Sequence, residues 1–288
     1  MTPKHTVTSL RTHAIQVLAA ANVQTPDVDA ELLIGHVLGL SRGQVQARVA
    51  TDAAVHHDDA LAVLEVIERR AAREPLQHIT GRAAFRALDL AVGPGVFVPR
   101  PETEIVAQLA IDALMAVASP SPVAVDLGTG SGAIALALAT EVPHAVVVAV
   151  ENSPRAFVWS TRNARDVAAP NLRLVFADLV DAVPELDGTV DVVVSNPPYI
   201  PLGAVPRDPE VRLHDPEHAL YGGADGLDVV RAVSARAAAL LRPGGTLVLE
   251  HGELQGDAIR ALLTADGWRA PSTTRDLLGR DRATTATR

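Results

Sequence analysis

The 288-residue chain contains no cysteine, which excludes disulfides, thiolate metal sites and a cysteine nucleophile together. Any covalent chemistry must use other groups. No run of about eighteen apolar residues is present, the length a membrane-spanning helix needs. The opening MTPKHTVTSLRTHAIQ mixes polar and charged residues where a signal peptide would be apolar. A cytoplasmic location with no membrane partner is expected. Lysine is nearly absent: Lys4 is the one lysine among 25 cationic side chains, and the formal net charge is −9. That balance argues against a nonspecific grip on nucleic acid, which comes from clustered Lys and Arg neutralising phosphates. The arginine excess, alongside abundant alanine, fits the codon usage of a GC-rich genome and carries no functional weight.

What is present is globular: 48% of residues are hydrophobic and 20% charged, enough for one large core and a smaller domain. Charge divides unevenly, with 9 basic and 10 acidic side chains in residues 1–95 and 16 and 24 in residues 96–288. The front part is the better docking surface for an anionic macromolecule. Up to about residue 80, apolar residues recur at helical spacing: Leu10, Ala14, Val17 and Leu18, then Leu33, Val37 and Leu40, then Leu61, Leu64, Ile67 and Ala71. This predicts three short helices in a bundle over 1–82, for recognition or support. Thr25-Pro26 reads as a helix start, and Gly39 and Gly81 as stops. Residues 83–100 read as a hairpin linker that turns at Gly93-Pro94-Gly95.

From residue 123 the pattern changes to strands alternating with helices, and 101–288 reads as a single catalytic domain. Apolar strand runs (VAVDL, AVVVAV, LRLVF, VDVVVS, TLVLE) are continuous, as strands buried on both faces require. The expected fold class is α/β, a doubly wound, mainly parallel Rossmann-like sheet with ligands at the carboxyl ends of its strands. At the end of the first of these strands stands Asp126-Leu127-Gly128-Thr129-Gly130-Ser131-Gly132, glycines that let the backbone turn and approach a ligand before a helix N-terminus. Gly128-x-Gly130-x-x-Ala133 also satisfies the dinucleotide fingerprint. Asp126 separates the cases: a carboxylate repels a pyrophosphate but welcomes the ammonium of S-adenosylmethionine. Glu151, directly after the second strand, is placed to accept ribose hydroxyls, and Asp178-Leu179, after the third, to border adenine.

After the fourth strand comes Ser195-Asn196-Pro197-Pro198-Tyr199-Ile200-Pro201. Prolines stiffen the segment and leave carbonyls free to accept. An amide or exocyclic amine nitrogen is a poor nucleophile until both its hydrogens are directed elsewhere. The Asn196 side-chain oxygen and the Pro197 carbonyl can accept the two, and Tyr199 can stack on the planar substrate. The catalytic set expected is Asn196, Pro197 and Tyr199, with Pro198 completing the substrate site. The same tetrapeptide chemistry serves enzymes that methylate adenine N6 or guanine N2, so a nucleic-acid methyltransferase is the alternative. A flipped base needs a basic path for its backbone, and the acidic second half offers none. His214 and His218 are four apart, but Pro216 between them breaks the helix that would align them, so no metal is expected.

With these residues in hand, the chain resembles the PrmC/HemK family of protein-(glutamine-N5) methyltransferases, which act on the Gly-Gly-Gln loop of class I peptide chain release factors. Gly81 to Glu104 resembles the family's linker, ending in Pro99-Arg100-Pro101-Glu102-Thr103-Glu104. Pro209-Glu210-Val211, Pro216 to Leu220, Leu241 to Gly245, Leu249-Glu250-His251-Gly252 and Asp276 to Arg282 resemble its later signatures. The resemblance implies a class I methyltransferase domain, S-adenosylmethionine as cofactor with S-adenosylhomocysteine as product, a release factor as partner, and a monomer. It further implies that Gly128 to Gly132, Glu151, Leu179 and Asn196 contact the cofactor and Asn196 to Tyr199 the glutamine. Glu151 stands where the family usually has Asp, and Leu179 where an aromatic can stand. Arg100, Glu102 and Glu104 fit either an ion-pair hinge or a substrate contact, and the sequence alone does not choose.

Overall fold

The computed structural model describes residues 5–288, which divide into two compact units. One comprises the chain up to Arg82 together with Arg207–His214; the other is Ala83–Pro206 with Asp215–Arg288.

The first unit holds five helices where periodicity predicts three: α1 (Val7–Ala20), α2 (Pro26–Leu38), α3 (Arg42–Ala50), α4 (His57–Ala71) and α5 (Leu76–Thr80). Helix α3 escapes the periodicity because only Val45 of its nine residues is buried. Its start is nonetheless written in polar residues, a capping box in which Ser41 N–H donates to Gln44 Oε1 at 2.8 Å and Gln44 N–H to Ser41 Oγ at 3.3 Å. Helix α5, of five residues, is too short to show a period. In α4 the buried face is Ala60, Val63, Val66 and Ile67, while Leu61 is half exposed. Gly39 and Gly81 end α2 and α5 in the left-handed conformation, as expected. Thr25 precedes α2 without capping it; its hydroxyl donates to Asp29 Oδ1 instead. The core of Leu10, Leu18, Leu33, Ile34, Val63 and Ile67 is closed by buried ion pairs. Glu31 accepts from Arg11, Arg42 and Gln46, and Arg70 bridges Asp29 and Glu210, the latter also paired with Arg73.

The second unit opens with a two-stranded sheet, β1 (Arg82–Phe85) and β2 (Leu88–Ala91). The turn of the hairpin itself falls at Arg86-Ala87, which corrects the expected site for a physical reason, while Gly93-Pro94-Gly95 forms a separate turn beyond β2, with Val96 N–H donating to the Gly93 carbonyl. Arg86 is held at φ +53° by its own bonds: its backbone N–H donates to Glu104, and its guanidinium reaches Gln108 and Glu141. Gly93 serves close packing: a Cβ there would stand 2.5 Å from the Trp159 ring.

Next come α6 (Thr103–Met115), β3 (Val123–Leu127), α7 (Ala133–Glu141), β4 (Val146–Glu151), α8 (Pro154–Val167), β5 (Leu172–Phe176) and β6 (Val190–Ser195). The short α9 (Pro209–His214) belongs to the first unit; α10 (Asp228–Leu240), β7 (Leu241–Glu250), α11 (Gly256–Ala265), β8 (Arg269–Arg275) and β9 (Asp281–Thr287) complete the second. Seven strands form one sheet in the order β5-β4-β3-β6-β7-β9-β8. The five from β5 to β7 are parallel; β9 and β8 add an antiparallel edge that the sequence reading does not anticipate. Alternate residues face opposite cores. Ala124, Val147, Ala149, Val192 and Val194 pack with α6 and α7, while Val125, Val148, Val150, Val193 and Leu247 pack with α10 and α11. The strand order reverses between β3 and β6, the switch point where a crevice opens in such sheets.

Candidate active site

The glycine loop leaves β3 at the carboxyl edge of the sheet. Gly128 and Thr129 both donate to the Val150 carbonyl at 2.9 Å, which ties the loop to β4. Gly128, Gly130 and Gly132 all have positive φ, and a Cβ on either of the first two would meet nothing within 4 Å. Their conformation and not crowding requires glycine, and open space lies in front of them. Gly132 caps α7, whose first turn follows. Buried Ser131 presents its carbonyl to Asn163 Nδ2 at 2.9 Å.

Asp126 is fully buried. Its Oδ2 accepts the Thr129 hydroxyl at 2.6 Å, and its Oδ1 has no hydrogen-bond partner. Burial pushes its carboxyl up to about 7, with the Thr129 hydroxyl and the Ala135 backbone N–H opposing the rise and the nearby Glu151 charge adding to it. An orphaned buried carboxylate oxygen at a strand end is a receptor for a cation or donor. Glu151 uses both oxygens, Oε2 accepting from Gly130 N–H and Oε1 from Ser153 N–H, each at 2.8 Å. It thus braces the glycine loop, and each oxygen keeps a lone pair for a hydroxyl. A hollow here is lined by Gly128, Val150, Glu151, Asn152, Ala177 and Leu179. Asp178 is not in that lining: it accepts from Val180 N–H and Asn152 Nδ2 and shapes the turn after β5.

At the end of β6, Ser195 Oγ donates to the Leu127 carbonyl at 2.6 Å, anchoring the Asn-Pro-Pro-Tyr segment beside the glycine loop. The segment is then held from below. Ile200 pairs with Tyr221, and Gln255 bridges by donating to the Tyr199 carbonyl and accepting from Gly252 N–H. Among the described residues, no hydrogen bond ends on the Pro197 carbonyl or on Asn196 Oδ1, while Asn196 Nδ2 donates inward to Thr103 Oγ1 at 3.4 Å. The Tyr199 phenol is pushed well above its usual range, first by burial and then by the Glu250 charge. It stays neutral.

Several residues here escape sequence reasoning. Thr103, Glu250 and Arg282 surround Asn196 and Tyr199 from three distant segments. Asn163 on α8 joins Ala91, at both its N–H and its carbonyl, to the glycine loop. Their only signal is that Thr103, Glu250 and Arg282 lie within motifs that otherwise had no role. Arg100 pairs with Asp215 at 2.9 Å and lies over the Phe97 ring, Glu104 braces the hairpin turn, and Glu102 faces Glu250, Tyr199 and Arg282. No group of three or more His, Cys, Asp or Glu side chains suited to a metal occurs among the described residues. Nor is any described helix long and apolar enough to cross a membrane.

Residues 9–81 match the PrmC N-terminal domain, and residues 87–205 the methyltransferase small domain. The release factor glutamine methyltransferase of Streptomyces coelicolor is 49% identical over 95% of each chain. That of Bifidobacterium longum is 45% identical over 96% of this chain and 97% of its own. This chain belongs to the release factor glutamine methyltransferase family. A 16S rRNA N2 G1207 methyltransferase from T. thermophilus, solved with AdoMet and guanosine, shares the fold at a TM-score of 0.53 and 24% identity, covering 72% of this chain and 49% of that one. In this chain, the hollow at β3 to β5 and the polar segment after β6 are neighbouring features of one strand edge.

Proposed function

We propose that this chain methylates the side-chain amide nitrogen of the glutamine in the Gly-Gly-Gln loop of class I peptide chain release factors, acting in the cytoplasm as a monomer. The observation that supports it is the pair of acceptors without donors, Asn196 Oδ1 and the Pro197 carbonyl, carried by a segment that Ser195 and Gln255 pin to the strand edge. S-adenosylmethionine, when bound, supplies an electrophilic methyl group. The residues present fit it. Asp126 Oδ1 offers a buried negative charge for its ammonium, the N-terminus of α7 offers free N–H groups for its carboxylate, Glu151 can accept ribose hydroxyls, and Leu179 covers an apolar ring. Gly128 to Gly132, including Thr129 and Ser131, form the cradle, and Asp178 holds its rim.

An amide nitrogen shares its lone pair with its carbonyl. Two acceptors that take both N–H hydrogens hold the group flat and turn the lone pair out of that plane. Pro197 has no N–H and fixes its own φ, so its carbonyl cannot swing away. Tyr199, neutral at any physiological pH, covers the planar amide, and Pro198 stiffens the turn between them. The nitrogen becomes acidic only after it is methylated, so no strong base is needed beforehand. Alignment supplies the rate, up to roughly 7–11 kcal/mol in favourable cases.

The proposal is tested by incubating the protein with labelled methyl donor and, separately, intact release factor, a release factor whose loop glutamine is replaced by alanine, and DNA or RNA. Label on the intact release factor alone is expected. Label on either nucleic acid, or on the alanine variant, would overturn the assignment.

A further inference from the structure

Strands β6 and β7 run parallel with Ser195 opposite Leu249, so Asn196, just past the end of β6, comes next to Glu250, the last residue of β7, which pairs with Ala283 of β9. Glu250 is 1% exposed, and its Oε2 has no hydrogen-bond partner. No described ion pair reaches it, although Arg282 of β9 lies close enough to favour its charge and Glu102 close enough to oppose it. Beside the carboxylate stand two donors, the Thr103 hydroxyl and the Asn196 side-chain amide. Thr103 is itself buried at the first position of α6, and its Oγ1 accepts from Asn196 Nδ2.

The Thr103 hydroxyl accepts from Asn196 Nδ2 at 3.4 Å, which leaves its own hydrogen to be directed elsewhere, and an ionised Glu250 with an unpartnered oxygen can only accept it. The amide of Asn196 is thereby fixed with nitrogen inward and oxygen outward. Without that chain, an asparagine side chain is free to turn over, and an outward NH2 would meet the substrate's own N–H donor to donor. A buried carboxylate costs several kcal/mol of desolvation, which the nearby Arg282 offsets without forming an ion pair with it.

We propose that Glu250 is a positioning residue for methyl transfer, acting through Thr103 to hold the Asn196 side-chain oxygen toward the substrate amide. The proposal rests on the role given to Asn196 above. It carries a pH signature. Burial raises the Glu250 carboxyl to about 7, with Thr103, Arg282 and Asn196 opposing that rise and Glu102 adding to it; the neutral phenol of Tyr199 faces the same space. A protonated Glu250 has an O–H that can donate to Thr103 and reverse the chain. The transfer rate therefore falls as pH drops through about 7.

The test compares wild type with Glu250→Gln, Glu250→Leu, Asn196→Ala and the Glu250→Leu/Asn196→Ala double variant in single-turnover methyl transfer to intact release factor, alongside S-adenosylmethionine binding and thermal unfolding. Glu250→Leu is expected to slow transfer at saturation by at least about tenfold while donor affinity and KM stay within about threefold. The double variant is expected to be no slower than Asn196→Ala alone, since both changes remove one interaction. Glu250→Gln, which keeps an acceptor and loses the titration, should retain activity and lose the acid limb near neutrality. Wild-type rates in Glu250→Leu, multiplied losses in the double variant, or an unchanged pH profile in Glu250→Gln would each overturn the inference. If Glu250→Leu does not fold, the Glu250→Gln profile decides. Full activity in Asn196→Ala would remove the parent reading as well, whereas a dead Asn196→Ala beside a fully active Glu250→Leu would remove this inference alone.

Discussion

Asp126 has two oxygens in different circumstances: one is satisfied by Thr129, and the other is buried and unpartnered. A carboxyl raised to about 7 by burial is half protonated at neutral pH, and a donor ammonium beside it would favour the charged form. Donor affinity is therefore expected to rise as pH increases through about 7, and Asp126→Asn to weaken binding by about tenfold, the effect of roughly 1.4 kcal/mol. Calorimetric titration of S-adenosylmethionine across that range checks both; an affinity independent of pH in wild type would exclude the role. Asp126, the glycines and Asn196 to Tyr199 are legible in the sequence because the chemistry of a strand end is written in consecutive residues. Thr103, Glu250 and Arg282 are not, since each comes from a separate segment, and the register of β6, β7 and β9 together with the start of α6 brings them to one place. Asp178 adds a role that adjacency to Leu179 does not reveal: its carboxylate accepts from Val180 N–H and Asn152 Nδ2 and so shapes the turn after β5.

Among the elements, α8 and β2 are joined to the glycine loop through one side chain. Asn163 is 2% exposed and satisfies Ala91 N–H and carbonyl and the Ser131 carbonyl. Replacing it by alanine strands several buried backbone groups at roughly 1–3 kcal/mol each, so Asn163→Ala is expected to lose about 3 kcal/mol of stability by denaturant unfolding. It should also weaken donor binding, because the loop loses its tie to α8; a loss under about 0.5 kcal/mol would contradict this account. The parallel strands β3, β4 and β6 are readable because burial on both faces leaves uninterrupted apolar runs, whereas β5 is an edge strand whose apolar run is only partly covered. The antiparallel pair β8 and β9 is not, since RAPSTTR and DRATTAT are polar sequences whose pairing comes from the edge of β7. Composition points to Gly93-Pro94-Gly95 for the hairpin turn, yet Arg86, held by Glu104 and Glu141, makes it. The glycine at 93 instead admits Trp159.

For the molecule as a whole, two fully buried carboxyls, Asp126 and Glu250, are raised to about 7 by burial. Between about pH 4 and pH 7 the folded protein then holds protons that the unfolded chain has released, so this contribution to stability is present at low pH and is lost as pH rises through about 7. Carboxylates held below their usual range, such as Glu31 against Arg42 and Glu210 against Arg73, lose their contribution at lower pH. Burial acts against them, but those cations outweigh it. The ligand-free protein is expected to melt at a higher temperature near pH 6 than near pH 8, with a shallower dependence in Asp126→Asn; a melting temperature that climbs over that interval would refute the assignment of these carboxyls. The account turns on the outward oxygen of Asn196, and the most direct measurement is the single-turnover rate of methyl transfer to release factor by Asn196→Ala, with both reactants saturating. A fall of about 10²–10³ with donor affinity changed by no more than about threefold is the predicted result. A rate equal to that of wild type, or a loss explained wholly by weaker donor binding, would contradict it.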